Sequence, residues 1–266
     1  MSHDEGRPRA LVTGASSGIG YELARQFAGH GFDLVVNAED TGIDDAAREL
    51  RKLGASVEAV RADLTAEDGV ELLYARATAD GRPLEAVAIN AGVGAGGPFT
   101  ETDLAGDLRV VDLNVRSSVH LAKLCVRDMA ARRRGRVLFT SSIAATQPGP
   151  FEATYAASKA FLLSFSEALR EELKDSGVTV TALMPGPTDT GFFGRAGMED
   201  TRVGSGKKDD PARVAEQAYE ALMNGKDHVV AGSVKNRAMA GAAKVMPEKA
   251  KAQAHRRMAE PGSGDD

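Results

Sequence analysis

The chain has 266 residues, 42% of them hydrophobic and 5% aromatic with no Trp, enough to bury a sizeable core as one α/β unit. Its formal net charge of −5 leaves no surplus of Lys and Arg to neutralise phosphates, which argues against broad nucleic-acid binding. Cys125 is the one cysteine and reads as a small buried hydrophobe, no run approaches the roughly 18 apolar residues of a membrane span, and the first nine residues carry no secretory apolar core, so a cytoplasmic protein is expected.

Short runs rich in Val, Leu and Ala alternate with longer amphipathic ones. Strands are expected at 9–13, 33–37, 56–60, 84–90, 136–140, 178–184 and 228–231, each closed by polar residues or Gly. Between them, apolar spacings of three and four predict helices over 19–30, 44–53, 66–79, 104–132, 154–175 and 211–223. A helix must carry the chain back over the sheet between parallel strands, so the alternation predicts a single-domain, doubly wound, Rossmann-like parallel sheet with helices on both faces. That domain is expected to span 1–232, with no composition break inside it. Two stretches depart from the rhythm. Residues 188–210 are rich in Gly, Asp, Lys and Thr around the pair Phe192–Phe193, and are expected to form a substrate lid. Phe192 and Phe193 read as its apolar anchors or as core residues. Residues 233–266 read as an Ala-rich, basic extension with a loose end.

The first strand runs into Thr13-Gly14-Ala15-Ser16-Ser17-Gly18-Ile19-Gly20, and a helical pattern follows at once. Glycines there let the backbone approach a pyrophosphate, and the helix start offers free N–H groups and a positive dipole end. The second strand ends Asn37-Ala38-Glu39-Asp40; an acidic side chain about 20 residues beyond the glycines accepts hydrogen bonds from a ribose 2′-OH and repels a 2′-phosphate. NAD is therefore the expected cofactor, with NADP the other possibility; the plainer reading of Glu39 is a solvated strand end. Further on, Tyr155 and Lys159 lie four apart on one helix face. A nearby cation favours the phenolate, and bringing a Tyr towards neutrality takes on the order of 4 kcal/mol.

The T-G-x-x-x-G-x-G turn, Asn90-Ala91-Gly92, and the ordered set Asn114, Ser142, Tyr155 and Lys159 resemble the short-chain dehydrogenase/reductase family, over nearly the whole chain to about Ala231. The resemblance implies an NAD(P)-dependent oxidoreductase that interconverts a carbonyl and an alcohol by hydride transfer. In that family Tyr155 would give or take the proton, Lys159 would lower its pKa and bond the nicotinamide ribose, and Ser142 would orient the substrate oxygen. Asn114, placed at a helix distortion, would hold a water that relays protons to the lysine. Asp63, with Leu64, would bond the adenine, although Asp63 also reads as a helix cap. Asn90, Ala91 and Gly92 would form the cleft floor, and Pro185, Gly186, Thr188 and Thr190 would meet the nicotinamide amide and pyrophosphate. Residues 94–99 and 147–151 would wall a mainly apolar substrate site.

The resemblance also implies a homodimer or homotetramer paired through the helices at 104–132 and 154–175. No metal site is expected. In the basic stretch Lys235, Arg237, Lys244, Lys249, Lys251, Arg256 and Arg257 face only Glu248. It reads as the solvated face of a packed helix, membrane contact being the less favoured reading. A cofactor-binding sensor or scaffold without turnover is the alternative function; the presence of both Tyr155 and Lys159 argues against it.

Overall fold

In the computed structural model, which describes residues 6–243 and 246–265, β1 (Arg9–Thr13) leads into α1 (Gly18–Gly29), and β2 (Asp33–Ala38) into α2 (Gly42–Arg51). Next, β3 (Val57–Arg61) leads into α3 (Glu67–Thr78), and β4 (Leu84–Ile89) into α4 (Leu104–Val110) and α5 (Ser117–Arg132). Then β5 (Gly135–Thr140) is followed by α6 (Ala153–Glu172), and β6 (Val178–Pro185) by two single turns, α7 (Phe192–Arg195) and α8 (Arg202–Ser205). The chain continues through α9 (Pro211–Met223), β7 (His228–Ala231), α10 (Val234–Ala243) and α11 (Glu248–Ala259).

The seven strands are parallel, in the order β3-β2-β1-β4-β5-β6-β7. The chain starts mid-sheet, winds outward to β3 and returns at β4 on the other side of β1. Where the winding reverses, a crevice opens beyond the carboxyl ends of β1 and β4. Both faces of the sheet are covered. Ala10 and Val12 of β1 pack with Phe27, Ile43 and Leu222 from α1, α2 and α9, while Leu11 packs with Leu73, Leu121 and Leu162 from α3, α5 and α6. Strands buried on both sides need apolar residues at every position, which is why they read as continuous runs.

The expected single helix over 104–132 is interrupted. Val111–Arg116 forms a π-helical turn between α4 and α5. The Asn114 amide inside it donates to the Val93 carbonyl (2.9 Å) and its oxygen accepts from the Val93 N–H (2.9 Å), pulling the turn onto the β4 loop. Ser117 Oγ donates to the Leu113 carbonyl at 2.6 Å, giving that group a partner beyond the helical ladder.

After β6, the 188–210 stretch is tied at its base by a parallel bridge between Thr188 and Asp209. It carries α7 and α8 and builds a small separate core of Phe193, Ala196, Met198 and Ala259. In the basic stretch Lys249, Arg256 and Arg257 are exposed, whereas Lys251, His255 and Ala259 of α11 are buried. Lys244 and the first five residues lie outside the described residues. No described helix is long and apolar enough to cross a membrane.

Candidate active site

At the end of β1 the backbone turns through Gly14 at φ 64°, in the left-handed region that favours glycine. A Cβ on Gly20 would run into the Gly14 carbonyl, so the first turn of α1 lies directly on the glycine loop. Ser17, ahead of α1, is extended (φ −159°, ψ 173°) and makes no capping hydrogen bond. The first N–H groups of α1 are thus left without a side-chain cap, at the edge of a cavity of about 310 Å³ lined by Gly14, Ser16, Ser17, Gly18, Ile19 and Gly20. An uncapped helix start under a glycine turn fits a dinucleotide pyrophosphate.

Thr13, expected among the cofactor contacts, is fully buried instead. Its hydroxyl accepts from the N–H groups of Asn90 (2.9 Å) and Ala91 (3.0 Å), fastening β4 to β1 beneath the floor. Asn90 continues the stitching, donating to the Thr13 carbonyl at 3.1 Å and accepting from Thr140 Oγ1 at 3.0 Å.

At the far end of the cavity Glu39, Asp63 and Leu64 line the walls. Asp63 accepts from the Thr65 N–H at 2.9 Å in a turn ahead of α3; the helix is capped at Ala66 without a side-chain bond, so the capping reading of Asp63 is not borne out. Partial burial works to raise the Asp63 pKa, but the Thr65 hydrogen bonds and the Arg109 charge outweigh it and leave it lowered. The sequence reading missed Arg109. Seventy residues from Glu39, its guanidinium bonds the Glu39 carboxylate and lies 3.7 Å from Asp63. It also missed Asp40, which accepts from Ser16 Oγ at 2.8 Å and steadies the glycine turn. Neither contact has a local sequence signal, since both need the winding of the sheet.

The catalytic set converges beneath the crevice. Tyr155 and Lys159 project from α6 into the cavity, with the Lys159 ammonium 5.6 Å from the Tyr155 ring centre. The ammonium donates to the Thr140 carbonyl at 2.8 Å. Ser142 lines the cavity and accepts from the Ala144 N–H at 3.1 Å. The Ser141 hydroxyl is spent on the Lys159 carbonyl at 2.8 Å.

Asn114 is fully buried, its amide divided between the Val93 backbone and Ser158 Oγ (2.9 Å). It positions the neighbours of Lys159 rather than touching the cavity. A Cβ on Gly92 would come within 3.1 Å of Asn114 Oδ1 and 3.2 Å of Lys159 Nζ, which is why the floor carries glycine there.

The expected lowering of the Tyr155 pKa is not found. Burial pushes the phenol up, the Glu152 charge adds to that, and Ser142 alone works the other way. Burial also brings Lys159 down to about 8. The expected assistance would have to overcome two opposing effects, and the reason is desolvation: a dry cleft disfavours every lone charge in it.

Thr188 and Thr190 border the cavity with Pro185 and Gly186. Phe192 faces Tyr155 with ring centres 5.1 Å apart. Both aromatics therefore belong to the small cluster of the 188–210 stretch and to the cavity, outside the main core. The stretch 94–99 does not wall the cavity. Gly94 and Gly96 lie behind the lid, where a Cβ on Gly94 would fall 2.6 Å from Phe192 Cζ, and Gly96 donates to the Ala196 carbonyl at 2.9 Å. Of 147–151, Gln147 reaches the cavity. Glu152, His255 and Met258 also line it, and none of them was expected from the sequence.

Such a crevice, with a tyrosine and lysine under an uncapped helix start, defines a nucleotide-dependent redox enzyme. The short chain dehydrogenase family model matches residues 8–200, and the chain belongs to that family. It is an NAD(P)-dependent oxidoreductase. It is 33% identical over 217 residues to a cis-4-hydroxycyclohexanecarboxylate dehydrogenase of Sinomonas cyclohexanicum, covering 80% of this chain and 86% of the relative. Among solved structures, a short-chain dehydrogenase from Sphingobium yanoikuyae in complex with NADPH is 30% identical, with a TM-score of 0.79, covering 89% of this chain and 93% of that one. A Burkholderia phymatum member of the family in complex with NAD is 25% identical, with a TM-score of 0.81 over 90% and 92% of the two chains.

Proposed function

We propose that this enzyme interconverts a small to mid-sized carbonyl and its alcohol, with Tyr155 as the acid or base on the substrate oxygen. The observation that carries the reading is the convergence of Ser142, Tyr155 and Lys159 on one cavity that also holds the open first turn of α1. The bound coenzyme supplies the hydride chemistry at its nicotinamide ring. Gly14, Ser16, Ser17, Gly18, Ile19 and Gly20 hold its pyrophosphate, Glu39, Asp63 and Leu64 its adenosine end, and Pro185, Gly186, Thr188 and Thr190 its amide. Asn90, Ala91 and Gly92 form the floor.

In carbonyl reduction the substrate oxygen sits between the Ser142 hydroxyl and the Tyr155 phenol. The raised phenol keeps its proton at neutral pH and is ready to donate it. Lys159, charged below about pH 8, offsets the phenolate that donation leaves behind. Asn114 fixes the Val93 backbone and Ser158 beside this lysine, a positioning role in place of the expected water-holding one. Phe192 and Phe193 exclude bulk water from above.

We further propose NAD as the preferred coenzyme. Glu39 lies where a 2′-phosphate would arrive, and its bond to Arg109 occupies a cation that could otherwise take that phosphate. Steady-state kinetics with both coenzymes test this: NADH should be favoured in kcat/KM, and a tenfold preference for NADPH overturns it. Exposed Leu104, Leu108 and Phe161 on α4 and α6 support pairing of two or four subunits through this face. A cytoplasmic location completes the reading.

A further inference from the structure

The mechanism leaves one buried polar cluster unused. Glu152 and His255 are 6% and 7% exposed, and their side chains meet at 3.0 Å, Nε2 to Oε2, across 103 positions of sequence. The other ring nitrogen, Nδ1, lies 3.0 Å from Gln147 Nε2. An amide nitrogen can only donate, so Nδ1 accepts from Gln147 and the ring proton sits on Nε2, donated to Glu152. The Nε2 proton thus meets the Glu152 carboxyl group inside the cavity wall. All three residues line that cavity together with Tyr155.

The turn that carries Glu152 is set with care. Phe151 adopts φ 65°, a left-handed conformation that strains a residue with a side chain. The surroundings hold it there. The Phe151 carbonyl accepts from the Gly97 N–H at 2.8 Å, and Arg256 of α11 stands 5.3 Å over its ring. Gly149 lies so close to α6 that a Cβ there would fall 2.5 Å from Ala156 Cβ. The fold thus pins the 147–152 turn between α6 and α11 and turns a carboxylate inward.

Glu152 stands at the N-cap of α6, three residues before Tyr155, and both side chains line the cavity. Oε2 is bonded to His255, and Oε1 makes no hydrogen bond among the described residues. The cavity's cations do not reach it: Lys159 is committed to Thr140, and Arg195 lies against Gly191 at the start of the lid. A buried carboxylate with a free oxygen attracts a donor and repels an anion.

Resting on the carbonyl–alcohol reading above, we propose that Glu152, positioned by His255 and Gln147, determines specificity: it selects substrates bearing a hydrogen-bond donor, a hydroxyl or an ammonium, a few bonds from the reacting carbonyl. Substrates with a carboxylate at that place are rejected.

The test uses the full-length enzyme with its accepted coenzyme and four ketones: cyclohexanone and its 4-hydroxy, 4-amino and 4-carboxylate derivatives. The hydroxy and amino ketones should exceed cyclohexanone in kcat/KM by tenfold or more, with the carboxylate poorest. Glu152→Gln should collapse the ammonium preference and relieve the carboxylate penalty. His255→Ala, which frees Glu152 from α11, should raise KM for the donor-bearing ketones more than it lowers kcat. Calorimetry of the four ligands on the coenzyme complex gives a second readout. A flat ranking, a ranking led by the carboxylate, one unchanged in Glu152→Gln, or no binding by any of the four overturns the proposal. Failure of both NADH and NADPH to bind would instead overturn the oxidoreductase reading beneath it.

Discussion

Tyr155 is held in its protonated form by burial and by Glu152, so the site is poised to give a proton before it takes one. Tyr155→Phe removes the transferable proton and little else, since the ring and its contact with Phe192 survive. Turnover should fall by at least three orders of magnitude while the dissociation constant for coenzyme changes less than threefold. Comparable turnover in that variant would remove the phenol from the mechanism. The Lys159 pKa of about 8 has its own signature. Its ammonium is present below that value and lost above it, so kcat/KM for reduction should be level through neutrality and fall with an apparent pKa near 8. A profile flat to pH 10 would separate Lys159 from catalysis. At this scale the grouping of Ser142, Tyr155 and Lys159 around one cavity was legible because Tyr155 and Lys159 share a helix face and Ser142 ends a strand. Glu152 and His255 were not legible, because only the folded chain brings positions 103 apart into contact.

Among elements, α1 and its glycine turn were the plainest in the sequence, for the constraint is local: a strand, a tight turn and a helix start in eight residues. Gly20→Ala tests it. The added methyl meets the Gly14 carbonyl, which is backbone and cannot swing aside. Coenzyme affinity measured by calorimetry should drop at least a hundredfold, with a lowered denaturation midpoint; wild-type affinity would show that the turn does not cradle the pyrophosphate. The π turn at Val111–Arg116 carries no mark in the helical periodicity, because its cause is the tie from Asn114 to Val93 across 21 positions; only the resemblance placed a helix distortion at Asn114. The same holds for the 94–99 stretch. It was expected to wall the cavity, whereas its glycines make room for Phe192, Ala196 and Met198.

For the molecule as a whole, parallel order and two covered faces followed from apolar runs joined by amphipathic ones, since few other arrangements bury such strands. What the sequence left open is whether two or four chains would pair through the face expected at 104–132 and 154–175. Exposed Leu108 and Phe161 stand on neighbouring helices, α4 and α6. Replacing both with Asp should shift the particle to the mass of one chain in light scattering, whereas an unshifted mass places the contact elsewhere.

The position of α11 has a consequence for biosynthesis. Strands, glycine turn and tyrosine helix all leave the ribosome before His255 and Met258, which complete the cavity from the far end of the chain. A nascent chain halted ahead of α11 would already possess its coenzyme cleft yet lack one side of the chamber where the second reactant is chosen.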